Sequence, residues 1–242
     1  MTLKQVAIIT TALVIVAGFA MISPLFIRAD ETVPKQKVLL TFSVAETADA
    51  VAWCQNLASL LDDYNIGAAV FIPGRLAEQH PEAIWDFDNN VDIGSQTYSN
   101  ADLTKISDYS IKLQEVEEGK MAVDEAAGLD TKMFRAPFFK TDQDIYSILS
   151  RSGILADFSY ENQYHIYVNG KFLTFDVKMY KGSDYSPEFF STLPTTSEPF
   201  IIDFDNSYSI FSLQNFFSGL NMEHFEFVNA SQFVGFTLTN RK

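Results

Sequence analysis

The chain has 242 residues, 47% of them hydrophobic and 14% aromatic with 22 Phe, enough for one domain with a large core and unlike a disordered or fibrous chain. Its formal charge is −14; without residues 1–28, which hold Lys4 and Arg28 and no acid, 15 basic residues face 31 acidic ones. A surface that negative repels nucleic acid and anionic lipid headgroups, which excludes both as expected partners.

Val6 to Ile27 is 22 residues without a charge, bracketed by Lys4 and Arg28. A helix of that length spans a bilayer core of about 30 Å. Signal peptides carry shorter apolar runs of about 7–15 residues, and the apolar run continues past the small-residue site Gly18-Phe19-Ala20. Residues 1–28 are therefore expected to be an uncleaved signal anchor, with secretion after cleavage as the alternative. Lys4 and the amino terminus favour an extracytoplasmic domain, and Arg28 weakens that inference. Residues 29–36, with Pro34, read as a linker, and residues 37–242 as the domain.

The rest alternates strand and helix. Val38–Phe42 is an apolar strand. Ala48–Tyr64 is a helix with Cys54, Leu57, Leu61 and Tyr64 on one stripe, closed by a glycine cap at Asn65-Ile66-Gly67. Cys54, the only cysteine, leaves no intrachain disulfide and reads as a small buried hydrophobe. Ala68–Ile72 is a buried strand, Pro81–Phe87 a short helix, and Val91–Ser95 the next strand. Ser107–Ala127 is the longest helix, with Lys120 at the edge of its apolar face and Gly128 closing it. Met133–Arg135 (strand), Asp142–Ser152 (helix) and Ile154–Asp157 (strand) follow. Asn169-Gly170 marks a hairpin between Tyr164–Val168 and Lys171–Phe175. Phe200–Phe204 (strand), Ser209–Met222 (helix) and Phe225–Val228 (strand) complete the pattern. Repeated βα units predict a parallel sheet, closed or open.

Several segments carry a family resemblance in order. Asn90-Val91-Asp92-Ile93-Gly94-Ser95-Gln96-Thr97-Tyr98-Ser99-Asn100-Ala101-Asp102-Leu103 resembles the second motif of the polysaccharide deacetylase family (the NodB homology domain, carbohydrate esterase family 4). That motif reads roughly Gly-His-Glu-Ile-Gly-Asn-His-Thr-Tyr-Ser-His-Pro-Asp-Leu. Val38 to Ala45 resembles its first motif, a strand ending in Thr-Phe-Asp-Asp-Gly, and Phe134-Arg135-Ala136-Pro137-Phe138 its third, which is intact. Ala68–Gly74, Gly153–Asp157, Phe200–Asp203 and Phe225–Val228 match further strands, so the resemblance covers about Lys37 to Val234. It implies an α/β fold, an irregular (β/α) barrel with its site at the C-terminal ends of the strands.

The departures fall on the chemistry. In the family the first Asp of motif one is the base, and the second Asp with two His binds a divalent metal such as zinc, which polarises the N-acetyl carbonyl and activates water. Here those positions are Ser43, Val44, Gln96 and Asn100. Ser43 is no base, Val44 has no donor atom, and the two amides are poor zinc ligands, so neither metal nor cofactor is expected. Asp203 stands at the family's late catalytic His. The resemblance assigns substrate contacts to Thr97, Tyr98, Arg135 and Phe138, with Pro137 retained beside them.

A rebuilt site would draw on Asp92, Asp102, Asp157, Asp203 or Asp205. Asp203-Phe204-Asp205, alternating at a strand end, is expected to send one carboxylate to the pocket and the other away, while Asp205-Asn206-Ser207 equally fits a cap for the next helix. His80, His165 and His224 lack ligand spacing. Tyr160, Tyr164 and Tyr167 would stabilise the hairpin or offer aromatic surface to sugar rings. Asn229-Ala230-Ser231 is a formal glycosylation sequon. The expectation is a membrane-anchored, catalytically degenerate deacetylase homologue that holds a cell-surface glycan or serves structure. The alternative is an active hydrolase of N-acetyl bonds using a rebuilt site.

Overall fold

The computed structural model describes residues 35–239 except 195 and 197. The expected membrane segment lies outside the described residues, and among those described no helix is long and apolar enough to cross a membrane.

The described residues form a nearly closed α/β barrel. Its ten strands lie in one sheet, ordered β7-β6-β5-β4-β3-β2-β1-β9-β8, with β10 beside β1. The strands are β1 (Gln36–Ser43), β2 (Ala68–Ile72), β3 (Val91–Ser95), β4 (Met133–Phe134), β5 (Ala156–Tyr160), β6 (Gln163–Val168), β7 (Lys171–Asp176), β8 (Lys178–Lys181), β9 (Phe200–Asp205) and β10 (Phe225–Phe227). All pairings are parallel except β5–β6 and β6–β7. The helices are α1 (Ala50–Asp63), α2 (Gly74–Gln79), α3 (Tyr109–Ala127), α4 (Ile145–Arg151), α5 (Pro187–Ser191), α6 (Ile210–Gly219) and α7 (Ala230–Thr239).

Side-chain alternation along the strands builds the interior. On β1 and β9, Val38, Leu40, Phe42, Phe200, Ile202 and Phe204 join the cluster that packs Trp53, Cys54 and Leu57 of α1 and Phe216 of α6. The intervening residues form a column across the β1–β9 register, pairing Leu39 with Ile201, Thr41 with Asp203 and Ser43 with Asp205. Leu39 and Ile201 sit in a second cluster with Phe71, Phe158 and Tyr164. The column thus turns from apolar to polar towards the C-terminal mouth.

Several local expectations are corrected. The left-handed residue after α1 is Asn65 (φ 51°), not Gly67; a Cβ on Gly67 would lie 2.7 Å from the Asn229 nitrogen, so that glycine serves close backbone approach. Pro81–Ala83 makes one 3₁₀ turn, and the helix in this stretch is the earlier α2. Lys120 is buried rather than marginal. Gly128 (φ 67°) does close α3, and the Asn169-Gly170 turn has both residues left-handed (φ 51° and 78°), as a two-residue hairpin requires. Tyr164 is fully buried and stacks on Phe158 and Phe175, so it packs the interior.

Candidate functional site

Arg135 directly follows β4, fixed by its backbone N–H donating to the Ser95 carbonyl at 3.1 Å. Its side chain is 1% exposed. The guanidinium carbon lies 4.4 Å from the Phe71 ring centroid and 4.9 Å from that of Phe139. Nη1 donates to Asp203 Oδ1 at 2.5 Å and to Ser43 Oγ at 3.1 Å, while Nε donates to the Phe158 carbonyl at 3.2 Å. Thr41 Oγ1 donates to the same Asp203 oxygen at 2.6 Å. Burial raises the Asp203 carboxyl against the pull of Arg135 and Thr41, and burial also lowers Arg135. A guanidinium stays protonated in proteins, so Asp203 is held as its counter-ion.

The positions that resemble metal ligands do not converge as ligands. Val44 is buried and its backbone N–H donates to the Phe71 carbonyl. Gln96 Nε2 donates to that same carbonyl at 2.8 Å and to the Val44 carbonyl at 3.3 Å, which commits its amide to joining strand ends. Asn100, left-handed at φ 58°, lies in a loop held by the Ala101 N–H donating to Thr97 Oγ1. Zinc requires thiolate, imidazole or carboxylate donors. Among the described residues no three His, Cys, Asp or Glu are grouped to hold a metal ion. The donor set does not fit the divalent metal that the resemblance implies.

These residues nevertheless border an open cleft of about 470 Å³ at the mouth, lined by Ser43, Gln96, Asn100, Phe138, Asp203 and Asp205 among others. Asp203 and Asp205 both line it, correcting the expectation of opposite faces, because strand residues two apart share a face. Asp205 Oδ1 also accepts the Ser207 N–H at 2.9 Å, but α6 is capped by Ser209, and Asn206 clamps both backbone groups of Ala45. Phe138 and Phe139 are consecutive left-handed residues (φ 60° and 55°), a costly conformation for bulky side chains. Phe138 is 64% exposed at the cleft rim.

Other expected site residues fall elsewhere. Thr97 is buried, and Tyr98 leaves the cleft to donate its hydroxyl to Glu78 at 2.5 Å, so neither lines it. Pro137 is buried beneath the Phe138 turn. Asp92 accepts the Ser231 N–H at 2.6 Å at the start of α7, and Asp102 caps Thr104 and faces Lys140. His80 and His224 are exposed. Asn229 Oδ1 accepts the Gln232 N–H, and the Gln232 side chain answers the Asn229 N–H, a reciprocal cap of α7 across the sequon.

Sequence reasoning missed one buried pair. Asp157 and His165, paired across β5 and β6, place Oδ2 and Nδ1 4.0 Å apart, and neither atom has a hydrogen bond. Burial pushes the Asp157 carboxyl up to about 6 despite two bonds from Ser159, and burial lowers His165. Only the face-sharing of two inward residues on adjacent strands could have signalled it.

A sequence model described as polysaccharide deacetylase matches residues 30–156. No curated protein matches the chain. Solved structures similar to it include a family 4 carbohydrate esterase from Streptomyces lividans in complex with acetate (16% identity, 78% of this chain and 90% of that one, TM-score 0.55). Another is the peptidoglycan deacetylase PdaC from Bacillus subtilis (14%, 85% and 93%, TM-score 0.57). A third is a CE4 family pseudoenzyme from Bacillus anthracis (12%, 82% and 65%, TM-score 0.59). At these identities the likeness shows the fold.

Proposed function

The chain belongs to the polysaccharide deacetylase family, and from that premise we propose that it recognises a polysaccharide at the cell surface without hydrolysing it. One observation carries the reading: the guanidinium of Arg135 is spent on Asp203 and Ser43, where the family places an Asp base. Amide hydrolysis needs a group to take a proton from water and a charge to stabilise the tetrahedral oxyanion. Ser43 cannot accept that proton at neutral pH. Val44 and the committed amide of Gln96 leave no seat for a Lewis acid. The open cleft and its exposed Phe138 remain suited to a sugar ring. One structural neighbour is itself described as a pseudoenzyme.

In this reading residues 6–27 anchor the chain and residues 29–36 carry the domain to the outer face. Full-length protein in detergent, incubated with N-acetylated oligosaccharides and added zinc or cobalt, should release no acetate while still binding the oligosaccharide. Acetate release abolished by chelator would overturn the reading in favour of a rebuilt hydrolase. Asp203 is the substitute to mutate first in that event, since Asp92 and Asp102 are engaged elsewhere.

A further inference from the structure

Resting on the glycan-recognition reading above, we infer that Ser159 is a positioning residue of the cleft: it lies outside the cleft wall, yet it fixes the turn that presents Phe138 to the sugar. That turn is unfavourable on its own. Phe138 and Phe139 are both left-handed, and two bulky residues in succession keep that conformation only where the surrounding structure over-determines it.

The β4–β5 pairing ends where Phe134 faces Asp157, so the N–H of Ala136 lies beyond the last paired residue, in a fully buried position. A buried N–H needs a partner. Ser159 Oγ accepts it at 2.7 Å. The same hydroxyl donates to Asp157 Oδ1, which also accepts the Ser159 N–H at 3.0 Å. With its one proton given to that carboxylate, the hydroxyl can only accept from Ala136, so its direction is set; this is a use for the buried charge of Asp157. The carbonyl of Ala136 closes the turn by accepting the Phe139 N–H at 3.1 Å, and the Phe139 ring centroid lies 4.9 Å from the Arg135 guanidinium carbon. Ala136 is thus pinned at both ends, to β5 by its N–H and to the turn by its carbonyl. Ser159 is fully buried and does not line the cleft, whereas Phe138 and Phe139 both do. A ligand in the cleft does not touch Ser159, so its influence on binding runs through the turn.

The test is isothermal titration of the full-length protein in detergent with the β-1,4 trisaccharide of N-acetylglucosamine, beside hydrogen exchange over residues 134–140 without ligand. Ser159→Ala should quicken exchange across that stretch and weaken binding about fivefold, within what one buried hydrogen bond contributes. In a Phe138→Ala background the same substitution should cost less than about twofold, because a residue acting through another adds little once that other is gone. Thr131→Val, which deletes a buried hydroxyl's bond to Asp124 of α3, should lose comparable stability and keep the affinity. Ser159→Cys, of similar bulk but a weak acceptor, repeats the test if the alanine variant does not fold. Unchanged exchange or parent-like affinity in the Ser159 variant, an equal loss in Thr131→Val, or the full loss persisting without the Phe138 ring would each overturn the inference and leave glycan recognition standing. Failure of the parent to bind the trisaccharide would remove the recognition reading, and the role of Ser159 with it.

Discussion

Two sets of buried cations are built on opposite plans. At the mouth, Arg135 is drawn to Asp203 from 68 residues away, both ends are nearly sealed from water, and Nη2 finds no hydrogen-bond partner. On the flank, Lys112 and Lys120 of α3 are buried too, at 6% and 11% side-chain exposure against 1% for Arg135, but their carboxylates reach solvent. Lys112 faces Asp142 and Asp144, and Lys120 faces Asp124 and Asp130, with carboxylate exposures from 25% to 63%. The flank carboxylates are open to solvent, whereas the Arg135 guanidinium is sealed from it. The contrast teaches that the charge at the mouth is balanced by a buried carboxylate on another strand, Asp203 of β9, and not by solvent-facing groups.

The largest effect should come from breaking that counterweight. Asp203→Ala leaves a buried guanidinium with only Ser43 and a carbonyl, and should cost about 3–5 kcal/mol in urea unfolding. Arg135→Met should cost clearly less, because a carboxyl already raised by burial can protonate and the thioether fills the slot between Phe71 and Phe139. Equal losses in the two variants would show that the asymmetry is not electrostatic.

Next in size is the pH dependence of Asp157. Its folded value of about 6 lies above the ordinary value of about 3.9 for an unfolded Asp. Between these the folded state binds more protons, so stability falls as pH rises from about 4 through about 6, and the cost is full above that. The shift corresponds to about 2–3 kcal/mol. Asp157→Asn keeps an acceptor for the Ser159 N–H and removes the buried charge. It should gain about 1–2 kcal/mol at pH 7.5, little at pH 4.5, and flatten the profile between them. A variant as pH-sensitive as its parent would sink the assignment.

How much of this was legible beforehand follows the same division. β1, β2, β3 and β9 are short, almost wholly buried runs, and the sequence placed each within two residues or better. The barrel mouth followed from their ends. β8, Lys178–Lys181, was missed because an edge strand flanked by lysines has no apolar alternation. α7 was missed because Phe233, Val234, Phe236 and Thr237 favour strand, and packing of Phe233 into the interior overrides them. Ser43 and Gln96 line the cleft and Arg135 bonds Ser43 from the end of β4, but the engagement of Arg135 with Asp203 is a long-range contact that no local pattern encodes. Thr97 and Tyr98 were misplaced for the opposite reason. A motif fixes spacing, while α3 crowds this loop so closely that a Cβ on Gly119 would lie 2.5 Å from the Gln96 carbonyl oxygen, and Tyr98 turns to Glu78.

The smallest expected effect sharpens the comparison from the flank. Lys120→Met keeps the buried stem and deletes the charge. Asp124 still accepts the Thr131 N–H and hydroxyl, and Asp130 still faces Lys132, both with water at hand. The stability change should therefore stay within about 1 kcal/mol, in contrast to Asp203→Ala. The substitution should still be visible as a titration. Lys120 is the foremost of the groups that hold the Asp130 carboxyl down at about 2, ahead of Lys132. Without it, carboxyl NMR should find Asp130 moved up towards the ordinary carboxylate range with the fold intact. A large loss of stability instead would mean that solvent does not complete the flank cluster, and that mouth and flank differ less than their exposures indicate.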